Sequence, residues 1–429
     1  MIHVEERKLP QHEIPIERFF SVKRLYLFLS QHTGKPSKLL VNKGDYLEES
    51  SLIAEGDGLI SSSLSSPVEG KVKDIVFFNH PVLKKDTAVV VDAEGCSPKA
   101  YSFDKEADFL KREDLLNKIK HAGIVGMGGA AFPTHVKLSP PKRIDTLIVN
   151  GCECEPYLSC DYRLMVEKCE EVFKGVELIC RIVSPQRVIF AIEENKPEAI
   201  KKFNSVISTK KYSLPQQKLA ILPSYYPQGG EKQLIYALTK RRVPLGGLPF
   251  DVGCLVHNVG TIFAIYEAVY YNKPLIERVI TFAGGALREP KNLLLKLGTT
   301  IAELFEEGIL SFKEEPVKIV YGGPMMGIAL KGLNYPVMKG TSGVLFLTRK
   351  EVDLREESVC IRCARCVDAC PMGLLPLEFV KKVKNEEYSS LEDFYIKDCI
   401  ECGACSFTCP AKIPIVHYIK VGKKYAVSS

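Results

Sequence analysis

Three things are missing from this chain of 429 residues, and each excludes a class of protein. No apolar run approaches the ~18 residues that a membrane-spanning helix needs, so no span is expected. The start, Met1-Ile2-His3-Val4-Glu5-Glu6-Arg7, carries acids instead of an apolar stretch, so no export signal is expected. Strong charge imbalance is absent too. The 58 lysines and arginines against 52 acids leave a net charge of +6, too mild and dispersed for a nucleic-acid surface. Hydrophobic residues at 46% and charged residues at 26% fit a globular chain, not a disordered or fibrous one. The length calls for roughly two to four domains. What the chain does have is cysteine, 15 in all. Without an export signal a disulfide framework is not expected, and metal or redox use becomes the leading reading.

Seven cysteines, at 96, 152, 154, 160, 169, 180 and 254, are scattered. The other eight form two runs of identical spacing, Cys360-Ile-Arg-Cys363-Ala-Arg-Cys366-Val-Asp-Ala-Cys370-Pro371 and Cys399-Ile-Glu-Cys402-Gly-Ala-Cys405-Ser-Phe-Thr-Cys409-Pro410. This is the bacterial two-cluster ferredoxin signature, in which the fourth cysteine of each run ligates the other cluster. Cys360, Cys363, Cys366 and Cys409 are therefore assigned to one 4Fe–4S cluster, and Cys399, Cys402, Cys405 and Cys370 to the second. Zinc is the alternative, but it takes paired knuckles from separate segments and fits four cysteines in eleven residues poorly. Leu374 to Tyr388, between the runs, reads as an amphipathic helix. Arg362 and Arg365 make the first cysteine loop cationic, whereas Asp398 and Glu401 flank the second. Cys169 and Cys180 fall on a predicted helix as core thiols.

Residues 105–275 alternate between helical and strand patterns, which implies an α/β domain with a largely parallel sheet. A helix is expected over Asp108 to His121, a long one over Asp161 to Ile182, and strands at Asp145 to Asn150, Arg187 to Ile192 and Lys218 to Leu222. Between the first helix and strand lies Gly123-Ile-Val-Gly126-Met-Gly128-Gly129-Ala-Ala-Phe132-Pro133, followed by Lys137. No Gly-Lys-Ser/Thr closes this loop, so it is not a Walker A motif. It follows a helix, so it is a poor dinucleotide fingerprint, yet its glycines permit close approach to a phosphate or flat ring. Asn150-Gly-Cys-Glu153-Cys-Glu155 places an amide and acids at a strand's carboxyl end, where open α/β sheets bind ligands. Gln228-Gly229-Gly230-Glu231-Lys232 is a second glycine–acid turn opening a helix. Together these describe a mononucleotide site.

These stretches, with Gly246-Gly-Leu-Pro249, His257-Asn258-Val259-Gly-Thr261 and Gly322-Gly-Pro-Met-Met-Gly327, resemble the C subunit of the Rnf electron-transport complex. More distantly they are similar to the FMN- and NADH-binding subunit of respiratory complex I. The resemblance implies that Gly126, Gly128 and Gly129 line a flavin, with Lys137 near it. It implies that Asn150 and Glu153 bind FMN polar groups and that Gly230, Glu231 and Asn258 close the pocket. Phe132, Glu155 and Glu231 become candidates for NADH, with Phe132 stacking on it. Two positions depart from the complex I pattern: Met127 stands where that family has arginine, and Cys152 where it has aspartate.

The expected architecture is multidomain α/β. Residues 1–105 resemble a lipoyl- or biotinyl-type barrel sandwich. Carrier domains of that type present a lysine at one hairpin tip; Ser61-Ser-Ser-Leu-Ser-Ser66 offers none, so a docking module is expected. Residues 106–275 form the Rossmann-like FMN/NADH domain, 276–350 a β-grasp domain and 351–429 an α-helical two-cluster ferredoxin domain. The implied function is a peripheral subunit on the cytoplasmic face of the bacterial inner membrane. It passes electrons between NAD(H), FMN, two 4Fe–4S clusters and ferredoxin, while partner subunits couple this to ion translocation. The alternatives are a flavin-less electron-wire subunit and a cobalamin reductase-like flavoprotein. In the latter the sandwich follows the clusters, whereas here it comes first.

Overall fold

A computed structural model describes residues 1–8, 10–94 and 99–426. The central unit is a four-stranded, wholly parallel sheet in the order Gln216–Leu222, Arg187–Glu193, Thr146–Gly151, Cys254–Asn258. Its inner strands, Thr-Leu-Ile-Val and Val-Ile-Phe-Ala-Ile, are apolar at consecutive positions because helices bury both faces. The helices Arg112–His121, Cys169–Val183, Pro197–Thr209 and Val259–Tyr270 cover one face, and Leu234 and Ile235 of the helix Glu231–Thr239 pack on Ile148, Ala191 and Val256 of the other. Phe173 of Cys169–Val183 stacks on Phe190 of the sheet with ring centroids 4.6 Å apart. The single long helix expected over Asp161 to Ile182 is in fact two, Cys160–Glu167 and Cys169–Val183. Lys168 leaves the helical region at φ −128°, and the adjacent Glu167 carboxylate is held by the Ile16 N–H and by Arg163.

The N-terminal module carries antiparallel sheets of four and three strands. Its backbone is the hairpin Gly70–His80 and Lys84–Ala93, where Val89 and Val91 pack with Leu25 and Leu27 in the core. Not all of the first hundred residues stay there. Ile16–Phe19 runs parallel to Lys291–Lys296 as the edge of a six-stranded mixed sheet. That sheet continues through Glu277–Ala283, Gly343–Leu347, Lys318–Tyr321 and Ile328–Leu330.

The last unit is built of short helices around Phe379, Leu391, Ile396 and Ile419. The helix expected over Leu374 to Tyr388 is Pro376–Lys384. Among the described residues no helix is long and apolar enough to cross a membrane.

Candidate functional sites

The eight clustered cysteines surround two cavities. Cys360, Cys363, Cys366 and Cys409 line one, and Cys370, Cys399, Cys402 and Cys405 line the other. The chain crosses over to do this: each run contributes three cysteines to one cavity and its fourth to the other. Among the described residues no three Cys, His, Asp or Glu side chains close on a point that suits a single ion. Four thiols spread around a cavity suit a polynuclear cluster better than zinc. Burial pushes Cys402 up to about 11 and Cys405 up to about 12, so these thiols ionise only against a compensating positive charge. The iron of a bound cluster would supply that charge.

The two quartets have different surroundings. The one containing Cys402 is sealed against the rest of the molecule. The Tyr226 hydroxyl donates to the Cys402 carbonyl at 2.6 Å, and Gln233 Nε2 donates to the Met372 sulfur at 3.0 Å. Asp398 accepts from Lys232 at 3.1 Å and from the Gly246 N–H at 3.0 Å. Gly403, at φ +80°, lies so close to the 322–327 turn that a Cβ would stand 2.4 Å from the Met325 carbonyl oxygen. The other quartet faces outward: Cys363 is exposed, with exposed Ile361, Arg362 and Arg365 around it.

In the α/β unit the candidate residues collect at the carboxyl edge of the sheet. Asn150 and Asn258 are register partners on adjacent strands, Thr146–Gly151 and Cys254–Asn258. Thr146–Gly151 has the next strand in sequence, Arg187–Glu193, on one side and the last, Cys254–Asn258, on the other, so strand order reverses here, at the kind of switch point where such sheets bind ligands. Asn150 Nδ2 donates to the Gly229 carbonyl at 3.0 Å, tying the strand end to the second glycine turn. Lys137 Nζ lies 2.6 Å from Glu231 Oε1, so the first glycine segment and the second helix start are joined by an ion pair. Gly230 caps the helix Glu231–Thr239. Gly128 and Gly129 are exposed, and nothing lies within 4 Å of where a Gly129 Cβ would be. Phe132 is half-buried beside them, and its carbonyl accepts from the Gly126 N–H at 2.8 Å.

Some candidates are engaged inside the protein. Glu153 is buried and accepts from the Asp161 N–H at 2.9 Å, capping the helix Cys160–Glu167. Asn258 accepts from the Gly260 N–H at 2.8 Å and donates to Asp161 at 2.6 Å, so it caps the helix Val259–Tyr270. Burial beside Glu153 pushes the Asp161 carboxyl up to about 6.

Family models match each of these regions. The Nuo51 FMN-binding domain covers residues 119–267, the RnfC barrel sandwich hybrid domain residues 2–96, and the 4Fe-4S dicluster domain residues 359–413. The C subunit of the proton-translocating ferredoxin:NAD(+) oxidoreductase complex of Clostridium ljungdahlii is 43% identical over 98% of this chain and 92% of its own length. The chain belongs to the RnfC family of ion-translocating oxidoreductase subunits. The C subunit of the ion-translocating oxidoreductase complex of Haemophilus influenzae is 38% identical over 98% of this chain, which spans 64% of that longer relative. Among solved structures, a chain of an NAD+-reducing NiFe hydrogenase shares the fold with TM-score 0.52 at 18% identity, over 75% of this chain and 63% of that one.

Within this RnfC-family chain, the two departures from the complex I pattern point inward. Met127 is buried, its N–H donates to Thr261 Oγ1 at 2.9 Å, and its sulfur lies 2.7 Å from Arg278 Nη1. Arg278 belongs to the six-stranded sheet and brings a buried guanidinium behind the glycine loop; its Nη2 has no hydrogen-bond partner among the described residues. No local motif announces it, because it arrives from a separate unit. Cys152 is buried and its thiol is pushed well above the ordinary range by desolvation. Cys154 and Cys160 are raised by the same cause, so none of the three has a reactive thiolate. Cys169 is buried and Cys180 half-buried on the helix Cys169–Val183, and Cys96 lies outside the described residues.

Glu155 bridges units. Its carboxylate accepts from the Met325 and Met326 N–H groups at 3.0 and 2.9 Å, and from Tyr226, the tyrosine that reaches Cys402. Desolvation pushes it up to about 7 from an ordinary value of 4.5. Between those values the folded chain holds a proton that the unfolded chain has released, so this group's contribution to stability falls as pH rises through the window. Glu155→Gln is expected to flatten that part of the profile. Thermal unfolding of the two proteins at constant ionic strength, from about pH 4.5 to 7, is the measurement; parallel profiles would refute it.

Proposed function

We propose that this chain is the electron-transfer subunit of a membrane-bound, ion-translocating complex. It would connect NAD(H) to ferredoxin and sit peripherally on the cytoplasmic face. The observation that carries the reading is the continuity between the switch-point site and the sealed cysteine quartet. Tyr226 opens the Tyr-Pro-Gln-Gly-Gly turn of the first and hydrogen-bonds the backbone of the second. The finer fold assignments belong to the same reading: the parallel sheet as a Rossmann-like flavin domain and the six-stranded sheet as a β-grasp domain.

The residues present fit an FMN. An open glycine cradle, a lysine, and two strand-end asparagines stand at the place where a flavin phosphate and ring would lie. Gly126, Gly128 and Gly129 would face it, Lys137 would balance its charge, and Asn150, Gly230 and Glu231 would shape its rim. Glu153 and Asn258 would support that rim through the helix starts they cap. Phe132 would flank a nicotinamide ring, with Glu231 close by; Glu155 would act from behind, through the 322–327 turn. Cys370, Cys399, Cys402 and Cys405 would hold the inner cluster, and Cys360, Cys363, Cys366 and Cys409 the outer one. Bound flavin exchanges electrons in pairs or singly and clusters exchange them singly, so the combination splits a hydride's electron pair. The chain's part is to set the order: switch-point site, inner quartet, outer quartet, solvent.

A flavin-less electron wire draws no support from Met127 or Cys152, since both side chains turn into the protein. The test is flavin and iron content of anaerobically purified protein, with EPR after NADH addition. Cluster signals that appear with NADH support the reading; full iron without flavin uptake refutes it. Gly128→Val places a branched side chain against Asn258, whose Cβ is 3.1 Å from a Cβ at that position. It is expected to cut FMN uptake at least about tenfold with iron content unchanged, as read by fluorescence titration.

A further inference from the structure

The serine tip of the sandwich module is not a solvent-exposed tip. Ser61, Ser62, Ser63, Ser65 and Ser66 are all buried. Two of them, Ser62 and Ser63, are met by a lysine from another unit. Lys339 is 1% exposed and has no carboxylate partner among the described residues. Its three donors meet the Ser63 carbonyl at 2.5 Å, the Gly123 carbonyl at 2.8 Å and Ser62 Oγ at 3.3 Å. The sandwich also holds the lysine's own backbone, since Lys339 N–H donates to Gln31 Oε1 at 3.0 Å.

Gly123 is the residue at which the glycine loop starts. At φ +65° its missing Cβ would stand 2.2 Å from the Ser63 carbonyl oxygen, so the serine tip and the loop touch backbone to backbone. The loop's far side is held by the same module: Thr33 N–H donates to the Ala131 carbonyl at 3.2 Å, and Thr33 Oγ1 donates to the Ala130 carbonyl. Between the two attachments, the Gly126–Phe132 hydrogen bond and the Val125–Pro133 bridge close the loop's neck. Gly128 and Gly129 remain open at the top.

We propose that the sandwich module is a clamp on the glycine loop, with Thr33 and Lys339 as positioning residues for the flavin. The inference rests on the reading of that loop as the FMN site. It gives the module a task that needs no covalent arm. Where a carrier domain offers a lysine outward, this one receives a lysine and fixes the shape of a neighbour's binding loop.

The test uses the full chain, purified anaerobically, freed of flavin and titrated with FMN. Thr33 is exposed, so Thr33→Val removes one hydroxyl without disturbing a core. It is expected to raise the FMN dissociation constant about five- to tenfold and alter the bound flavin's visible circular dichroism. Iron content and thermal unfolding should stay unchanged, and Thr33→Ser should restore binding. Lys339→Met is expected to weaken FMN binding further. Wild-type FMN affinity in both Thr33→Val and Lys339→Met would overturn the clamp alone. A wild-type chain that takes up no FMN would instead overturn the flavin reading on which it rests.

Discussion

Replacing Cys409 by alanine should remove the cluster that Cys360, Cys363 and Cys366 would hold, not the one that its sequence neighbours would hold. The cavity lined by those three is completed by Cys409, while Cys370 completes the other. Iron content alone cannot separate this from sequential ligation, since any single loss halves it. Paired substitutions can. With crossed ligation, Cys363→Ala combined with Cys409→Ala damages one cluster only and leaves half of the iron. Cys363→Ala combined with Cys370→Ala damages both and leaves none. Sequential ligation predicts the reverse pattern. Iron analysis and EPR of the dithionite-reduced proteins decide between them.

A loss of about 3–5 kcal/mol is expected for Lys196→Met in the α/β unit. Lys196 and Glu193 are 0% and 1% exposed. Lys196 Nζ donates to Glu193 Oε2 at 2.6 Å and to Asn195 Oδ1 at 2.9 Å. Removing the lysine strands a carboxylate beside buried Cys152, under the loop that carries Glu153 and Glu155. The residue before Glu193, Ile192, pairs with Gly151, so the damage falls at the carboxyl edge where the candidate site lies. Glu193→Gln added to Lys196→Met should recover most of the loss, because a neutral pair leaves no unpaired charge. Proteolysis under increasing urea reads both effects, and an unchanged midpoint for Lys196→Met would refute the argument.

The parts legible in the sequence are those whose physics is local. Three thiols must be closely spaced to reach one face of a cube, so Cys360 to Cys366 and Cys399 to Cys405 stand out without any fold. Doubly covered parallel strands must be apolar throughout, so Thr146–Gly151 and Arg187–Glu193 read as strands directly. The parts that were not legible depend on distant partners. Ile16–Phe19 is only Ile-Glu-Arg-Phe, too short and mixed to reveal that it pairs with Lys291–Lys296. The break at Lys168 is hidden because apolar spacing continues across it; the feature that marks it is Glu167's bond to Ile16, which no pattern shows. Glu153 and Asn258 carry the polar chemistry of a ligand site, and a helix cap calls for the same chemistry. Lys339 and Arg278 act on the glycine loop from a unit more than a hundred residues away, so no motif includes them.

The edge strand Ile16–Phe19 also orders events during synthesis. Its partner, Lys291–Lys296, leaves the ribosome after the sandwich and the parallel sheet have both emerged. Tyr226, which the Ile2 backbone bridges, is likewise far behind it in the chain. Ile16–Phe19 must therefore wait without its ladder until the six-stranded sheet emerges, whereas Arg7, Lys8 and Gln11 meet their partners at Glu153 to Leu158 earlier.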